Sequence, residues 1–243
     1  MYGAIAFVYG LVCYVIFFVT FCYAIGFTGN LAVTKGIDTG AAGPLIEAVV
    51  VNLVLLSAFA FQHSVMARPE FKRWWTKFVP ECIERSTYVL LASLILIVLF
   101  WQWQPIPGVV WSLTGAAATV MWVVFAAGWA IVLASTFMIG HFDLFGLKQV
   151  IDFLNKKTRA ADAFHMPGFY KLVRHPIMLG FIIAFWATPH MTVGHLLFAA
   201  VTTAYILIAV KFFEEPDLIA MFGEAYENYR RKVPMLLPLG RKK

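Results

Sequence analysis

The feature that most constrains this chain is where charge is missing. No Asp, Glu, Lys or Arg occurs from Met1 to Thr34, from Ser86 to Phe142, or from His175 to Val210. A bilayer core about 30 Å thick is crossed by roughly 20 consecutive apolar residues and strongly disfavours an ionised side chain. Only 13% of the chain is charged and 61% is apolar, against about 25% charged in soluble domains. These runs predict an all-α integral membrane protein of five or six transmembrane helices, with a C-terminal amphipathic helix.

Spans are expected near residues 5–27, 45–66, 86–102, 112–136, 175–189 and 194–213, within one membrane domain covering 1–243. Pro105, Pro107 and Gly108 split the longest uncharged run into a hairpin, because proline removes a donor and restricts the residue before it. The run after His175 breaks in the same way around Pro189 and Gly194. Its first half, between Pro176 and Pro189, is short for a bilayer at about 1.5 Å per residue, so it either starts upstream or is re-entrant. The first span has no basic leader and no small-residue cleavage pattern, and is expected to be retained. Glu215, Pro216 and Asp217 open the C-terminal helix, expected over 216–231, with Leu218, Phe222, Ala225, Tyr226 and Tyr229 on one face.

Lysine and arginine cluster in alternate connections: Arg68 to Arg85, Lys148 to Arg174, and Lys211 to Lys243, whereas the intervening connections hold only Lys35. By the positive-inside rule this places both termini in the cytoplasm, with the cytoplasmic (inner) membrane as the location. The net charge of +6 is explained by these helix ends and by lipid headgroups, and nucleic-acid binding is not expected. Cys13, Cys22 and Cys82 have no zinc or disulfide spacing, so no metal site is expected. The segment from Arg68 to Phe78, with aromatics at 71, 74, 75 and 78, reads as an interfacial anchor.

There is no dinucleotide fingerprint, P-loop, nucleophile elbow or zinc-protease motif. Three polar groups abut the spans: Arg174-His175-Pro176; Lys211 with Glu214, Glu215 and Asp217; and Gly140 to Gln149 around His141 and Asp143. A histidine and a carboxylate converging at the membrane face could bind a small zwitterion. Equally, Arg174 and Lys211 could be topology markers paired with the glutamates at headgroup level. Spacing alone leaves both readings open.

The stretch from Pro167 through Tyr170, Arg174-His175-Pro176 and Met178 to Gly180 resembles the G-x-Y-x-x-x-R-H-P-x-Y-x-G element of membrane methyltransferases, with Met178 in place of the second Tyr. That family includes isoprenylcysteine carboxyl methyltransferases and methanethiol S-methyltransferases. Glu214-Glu215 and the run from Phe222-Gly223 through Tyr226 and Tyr229 to Val233-Pro234 are similar to its ending. Ser135 to Leu147, and Phe185 to Phe198, look most like the methanethiol S-methyltransferase branch.

The resemblance implies S-adenosyl-L-methionine as cofactor, held in cytoplasmic segments by Tyr170, His175, Pro176, Met178 and Glu214, with Gln149 and His165 as neighbours. It implies methanethiol, a small apolar thiol reaching the site from membrane lipid, as acceptor and dimethyl sulfide as product. Thiols near a pKa of about 8.5 need a base or cation nearby when buried; His141 and Asp143 are the candidates for catalysis. Where isoprenylcysteine enzymes carry an Arg before the paired glutamates, this chain has Val210. Two other readings remain open: methylation of a prenylcysteine carboxylate or lipid amine, and a non-enzymatic transport or assembly protein.

Overall fold

The computed structural model describes residues 2–157 and 164–238. In chain order, α1 spans Tyr2–Gly29, α2 Leu45–Ala67, α3 Pro69–Trp75, α4 Glu81–Gln102, β1 Val109–Ser112 and α5 Gly115–Met138. Then come α6 His141–Leu144, α7 Leu147–Leu154, a 3-10 turn Gly168–Lys171, α8 Pro176–Trp186, β2 His190–Thr192 and α9 Val193–Ala209. A π-helical turn, Val210–Glu214, leads into α10 Glu215–Phe222, and α11 Glu224–Lys232 comes last. The basic residues Arg159, Arg241, Lys242 and Lys243 lie outside the described residues.

Among the described residues five helices are long and apolar enough to cross a bilayer: α1, α2, α4, α5 and the continuous run Val193–Phe222. The protein is an integral membrane protein. Large apolar side chains such as Ile5, Val19, Val54, Val120 and Val123 are exposed on these helices, as lipid contact requires. The expected fifth span, 175–189, forms an 11-residue helix, α8, which rises only about 16 Å. The third span starts at Glu81, upstream of 86, because Pro80 caps it and Glu81 and Glu84 fall in its first turn, where the helix dipole favours acidic groups.

The chain divides into two compact units, Met1–Gly108 with His141–Ala160, and Val109–Gly140 with Ala161–Lys243. In the first unit α4 packs against α1 and α2, and α7 packs against α1. Gly10 permits that last approach, since a Cβ there would come within 2.6 Å of the Val150 side chain. Asn52 is fully buried in a span, yet its amide donates to the Gln104 carbonyl (2.8 Å) and accepts from the Gln104 N–H (2.9 Å). The proline-broken end of α4 thus uses a side chain from α2 to satisfy backbone that lipid could not.

In the second unit α5 and α8 pack backbone against backbone. A Cβ on Gly128 would lie 2.7 Å from the Ala184 amide nitrogen, and one on Gly180 would lie 2.7 Å from the Gly128 carbonyl oxygen. β1 and β2 pair antiparallel, and the Trp111 indole donates to the Thr188 carbonyl at 2.9 Å. Thr192 caps α9 by accepting from the His195 N–H at 3.0 Å.

The helix expected over 216–231 is two helices. Gly223 adopts φ +55 and stops α10, its N–H returning to the Ile219 carbonyl at 2.8 Å, and α11 starts afresh at Glu224.

Candidate functional site

Pro176 is the first residue of α8, and its ring keeps His175 out of helical geometry, at φ −126 and ψ 66. Arg174 and His175 instead donate backbone N–H groups to the carbonyls of Pro234 (2.9 Å) and Met235 (3.2 Å). The Arg-His-Pro segment is therefore tied to the chain just beyond α11.

The glutamates arrive through the π-helical turn. Its wider winding closes an i to i+5 hydrogen bond from the Glu215 N–H to the Val210 carbonyl and alters the rotation of the residues beyond it. Both carboxylates consequently reach His175. Glu214 Oε1 lies 3.4 Å from His175 Nδ1, and Glu215 Oε1 lies 3.3 Å from Nε2.

The two glutamates are not equivalent. Glu215 is buried, and its Oε1 accepts from Arg174 Nε at 2.7 Å and pairs with its terminal nitrogen at 2.6 Å, the two side chains being 6% and 9% exposed. Arg230 approaches the other oxygen at 3.5 Å. Arg174 also donates to the carbonyls of Val233 (2.5 Å) and Arg230 (3.1 Å), so the guanidinium is engaged on every side. Glu214 is 42% exposed and can face a ligand.

Burial opposes a charge on His175, but hydrogen bonds and charges from Glu214 and Glu215 outweigh it and lift its pKa to about 9. The ring is cationic at neutral pH. Beside it, Tyr170 sits in the 3-10 turn, and its carbonyl accepts from the Tyr229 hydroxyl at 2.6 Å. Burial, and then the charge of Glu214, push the Tyr170 hydroxyl pKa upward. Pro176 and Met178 occupy the first turn of α8, while His165 is exposed on irregular chain. The second unit thus brings Tyr170, His175 and Glu214 together, flanks them with Pro176 and Met178, and leaves His165 turned to the surface.

The other three expected residues belong to the first unit. His141 is 4% exposed, shares a 2.9 Å hydrogen bond with the Tyr14 hydroxyl through Nε2, and is ringed by Phe17, Phe142 and Phe145. Burial lowers its pKa, which keeps the ring neutral. The Gln149 amide donates to the Asp143 carbonyl (3.0 Å) and carboxylate (2.9 Å), and Lys148 lies 3.4 Å from the other carboxylate oxygen. The carbonyl oxygen of Gln149 is buried without a hydrogen-bond partner among the described residues.

The donor set of the second unit suits an adenosyl sulfonium amino acid. A half-exposed carboxylate can accept from ribose hydroxyls or an ammonium, and the cationic imidazole beside it holds it in place. In the first unit, the orphaned Gln149 oxygen can accept from an amine. Among the described residues no group of three His, Cys, Asp or Glu could hold a metal ion.

Residues 51–215 match the NnrU protein family. The chain is 58% identical over 230 residues to methanethiol S-methyltransferase 2 of Bradyrhizobium diazoefficiens, covering 95% of this chain and 88% of that one. It is 56% identical over 232 residues to a methanethiol S-methyltransferase of Mycobacterium tuberculosis, covering 95% of each. The chain belongs to the methanethiol S-methyltransferase family. No solved structure matches it.

Within this methanethiol S-methyltransferase frame, sequence reasoning missed Tyr14 and Arg230, while the pairing of Arg174 with a glutamate was one of its two open readings. Tyr14 lies inside an uncharged span and in no motif, so nothing marked it. Arg174 and Glu215 were visible as neighbours of His175 and Glu214, but which glutamate turns inward depends on the π-helical turn, which carries no sequence signal.

Proposed function

We propose that the protein methylates methanethiol with S-adenosylmethionine at the cytoplasmic face of the membrane, yielding dimethyl sulfide, S-adenosylhomocysteine and a proton. The observation that carries this reading is His175 held between Glu214 and Glu215 in a chain whose relatives, over nearly their whole length, are named methanethiol S-methyltransferases. Both termini lie in the cytoplasm in this reading, supported by the basic residues between alternate spans.

S-adenosylmethionine would supply an electrophilic methyl group on a sulfonium. Glu214, with its half-exposed carboxylate, would accept from the ligand's hydroxyl or ammonium groups, and cationic His175, paired with both glutamates, would hold that carboxylate in place. Tyr170, Pro176 and Met178 shape the site around them. Gln149 offers its unpartnered oxygen to an amine, and His165 neighbours the bound ligand. The buried Arg174–Glu215 pair holds His175 in place and needs no contact with the ligand.

His141, neutral in its aromatic surroundings, takes the thiol proton as general base, and Asp143, oriented by Gln149 and Lys148, supports the charge that results. The thiolate so formed would take the methyl group that the sulfonium supplies, one carbon–sulfur bond forming as another breaks.

The test is dimethyl sulfide release from methanethiol and methyl-labelled donor by purified protein, repeated with His175→Ala and Glu214→Ala. Loss of turnover in both variants, with wild-type folding, is expected. Unchanged turnover in both would overturn the cofactor assignment.

A further inference from the structure

Tyr226 is a buried group that the proposed methyl transfer does not use. It is 2% exposed on α11, and its hydroxyl is buried without a hydrogen-bond partner among the described residues. Its neighbour Tyr229, with its ring centroid 5.7 Å away, donates to the Tyr170 carbonyl. Two tyrosines on one helix therefore differ sharply: one hydroxyl is spent on the fold and the other is not. Leaving a buried donor unpaired is destabilising, so such a group asks for an explanation.

The surroundings supply one. Glu214, Glu215 and Arg174 are near enough for their charges to bear on the Tyr226 hydroxyl, and Arg174 and Glu215 are committed to each other. Phe164 stands edge-on to Tyr226 at 5.8 Å and also contacts Tyr229 and Phe222, each at 5.3 Å. The unspent donor thus lies among flat apolar rings and within reach of the charge of the half-exposed carboxylate.

We propose that the Tyr226 hydroxyl binds the nucleoside part of the methyl donor, donating to a purine nitrogen or ribose oxygen while Glu214 accepts from a hydroxyl or ammonium of the same ligand. The proposal rests on the reading of S-adenosylmethionine as donor. An uncharged acceptor fits better than the ligand's carboxylate, which the two glutamates repel, and aromatic rings suit the face of a purine. Burial raises the Tyr226 pKa, so the group remains a donor throughout the working pH range.

The test uses the full chain in detergent, with S-adenosylhomocysteine and 5′-methylthioadenosine as calorimetric probes, the second lacking the amino-acid part. Tyr226→Phe removes one oxygen that makes no hydrogen bond among the described residues. It is expected to unfold at the wild-type temperature or above, and to bind both probes roughly five- to tenfold more weakly. Tyr229→Phe, which loses a bond within the fold, should instead unfold at lower temperature. Wild-type affinity of Tyr226→Phe for either probe overturns the proposal. So does failure of that variant to fold, because the hydroxyl would then have a structural partner. Failure of the wild-type protein to bind S-adenosylhomocysteine overturns the donor reading itself.

Discussion

Arg174 and Glu215 form a buried ion pair in which Nε and a terminal nitrogen of one guanidinium converge on a single carboxylate oxygen at 2.7 and 2.6 Å. Removing one partner strands the other charge, which typically costs about 3–5 kcal/mol. Glu215→Ala should therefore lower the unfolding temperature of the detergent-solubilised protein more than Glu214→Ala, whose side chain is half exposed. Equal shifts in the two variants would show that the pair is not a structural clamp.

His175 makes stability depend on pH with a definite sign. Its folded pKa is raised to about 9, above an unfolded value of about 6.5. The stabilisation is fully present below about 6.5 and disappears as pH rises through about 9, on the order of 3 kcal/mol in all. Wild-type protein should lose stability between pH 7 and 10, and His175→Gln should flatten that slope in denaturation measured across the range.

Gly128 and Gly180 leave no room for a side chain where α5 meets α8, because the nearest atom a Cβ would strike in each case is backbone and cannot swing aside. Gly180→Leu should destabilise the second unit by at least about 1–3 kcal/mol, read as reduced yield of monodisperse protein. A folded, active variant would show that Gly180 is not a packing position.

His141→Ala should reduce turnover of methanethiol by roughly 10²–10⁴-fold while leaving calorimetric affinity for S-adenosylhomocysteine intact. Tyr14→Phe, which removes only the hydroxyl bonded to Nε2, should lower turnover less, again without changing that affinity. Loss of ligand affinity in either variant would remove His141 from its proposed role as base.

The membrane architecture was legible because ionised residues are confined to the ends of the spans, and their scarcity in between depends on nothing but solvation. His175 and Glu214 were legible through motif order, and Pro176 explains physically why His175 leaves the helix. The break at Gly223 was not legible, since a glycine at helical spacing is often tolerated and only the backbone reveals φ +55. Tyr14 and Tyr226 were hidden for another reason. Their importance lies in what their hydroxyls touch or fail to touch, and composition and periodicity record only that an aromatic ring is buried.

The π-helical turn at Val210–Glu214 makes the phase of the last span a functional quantity. Each residue added to or taken from a helix rotates everything beyond it by about 100°. Deleting one residue between Val210 and Phe213 would leave the hydropathy of the span almost untouched, yet restore regular winding and swing Glu215 away from Arg174. Such a deletion should insert and fold its membrane segments while uncoupling the acidic pair from the Arg-His-Pro turn. The last span thus behaves like a screw cut with one deliberately wide thread, and the site it serves depends on that irregularity being kept.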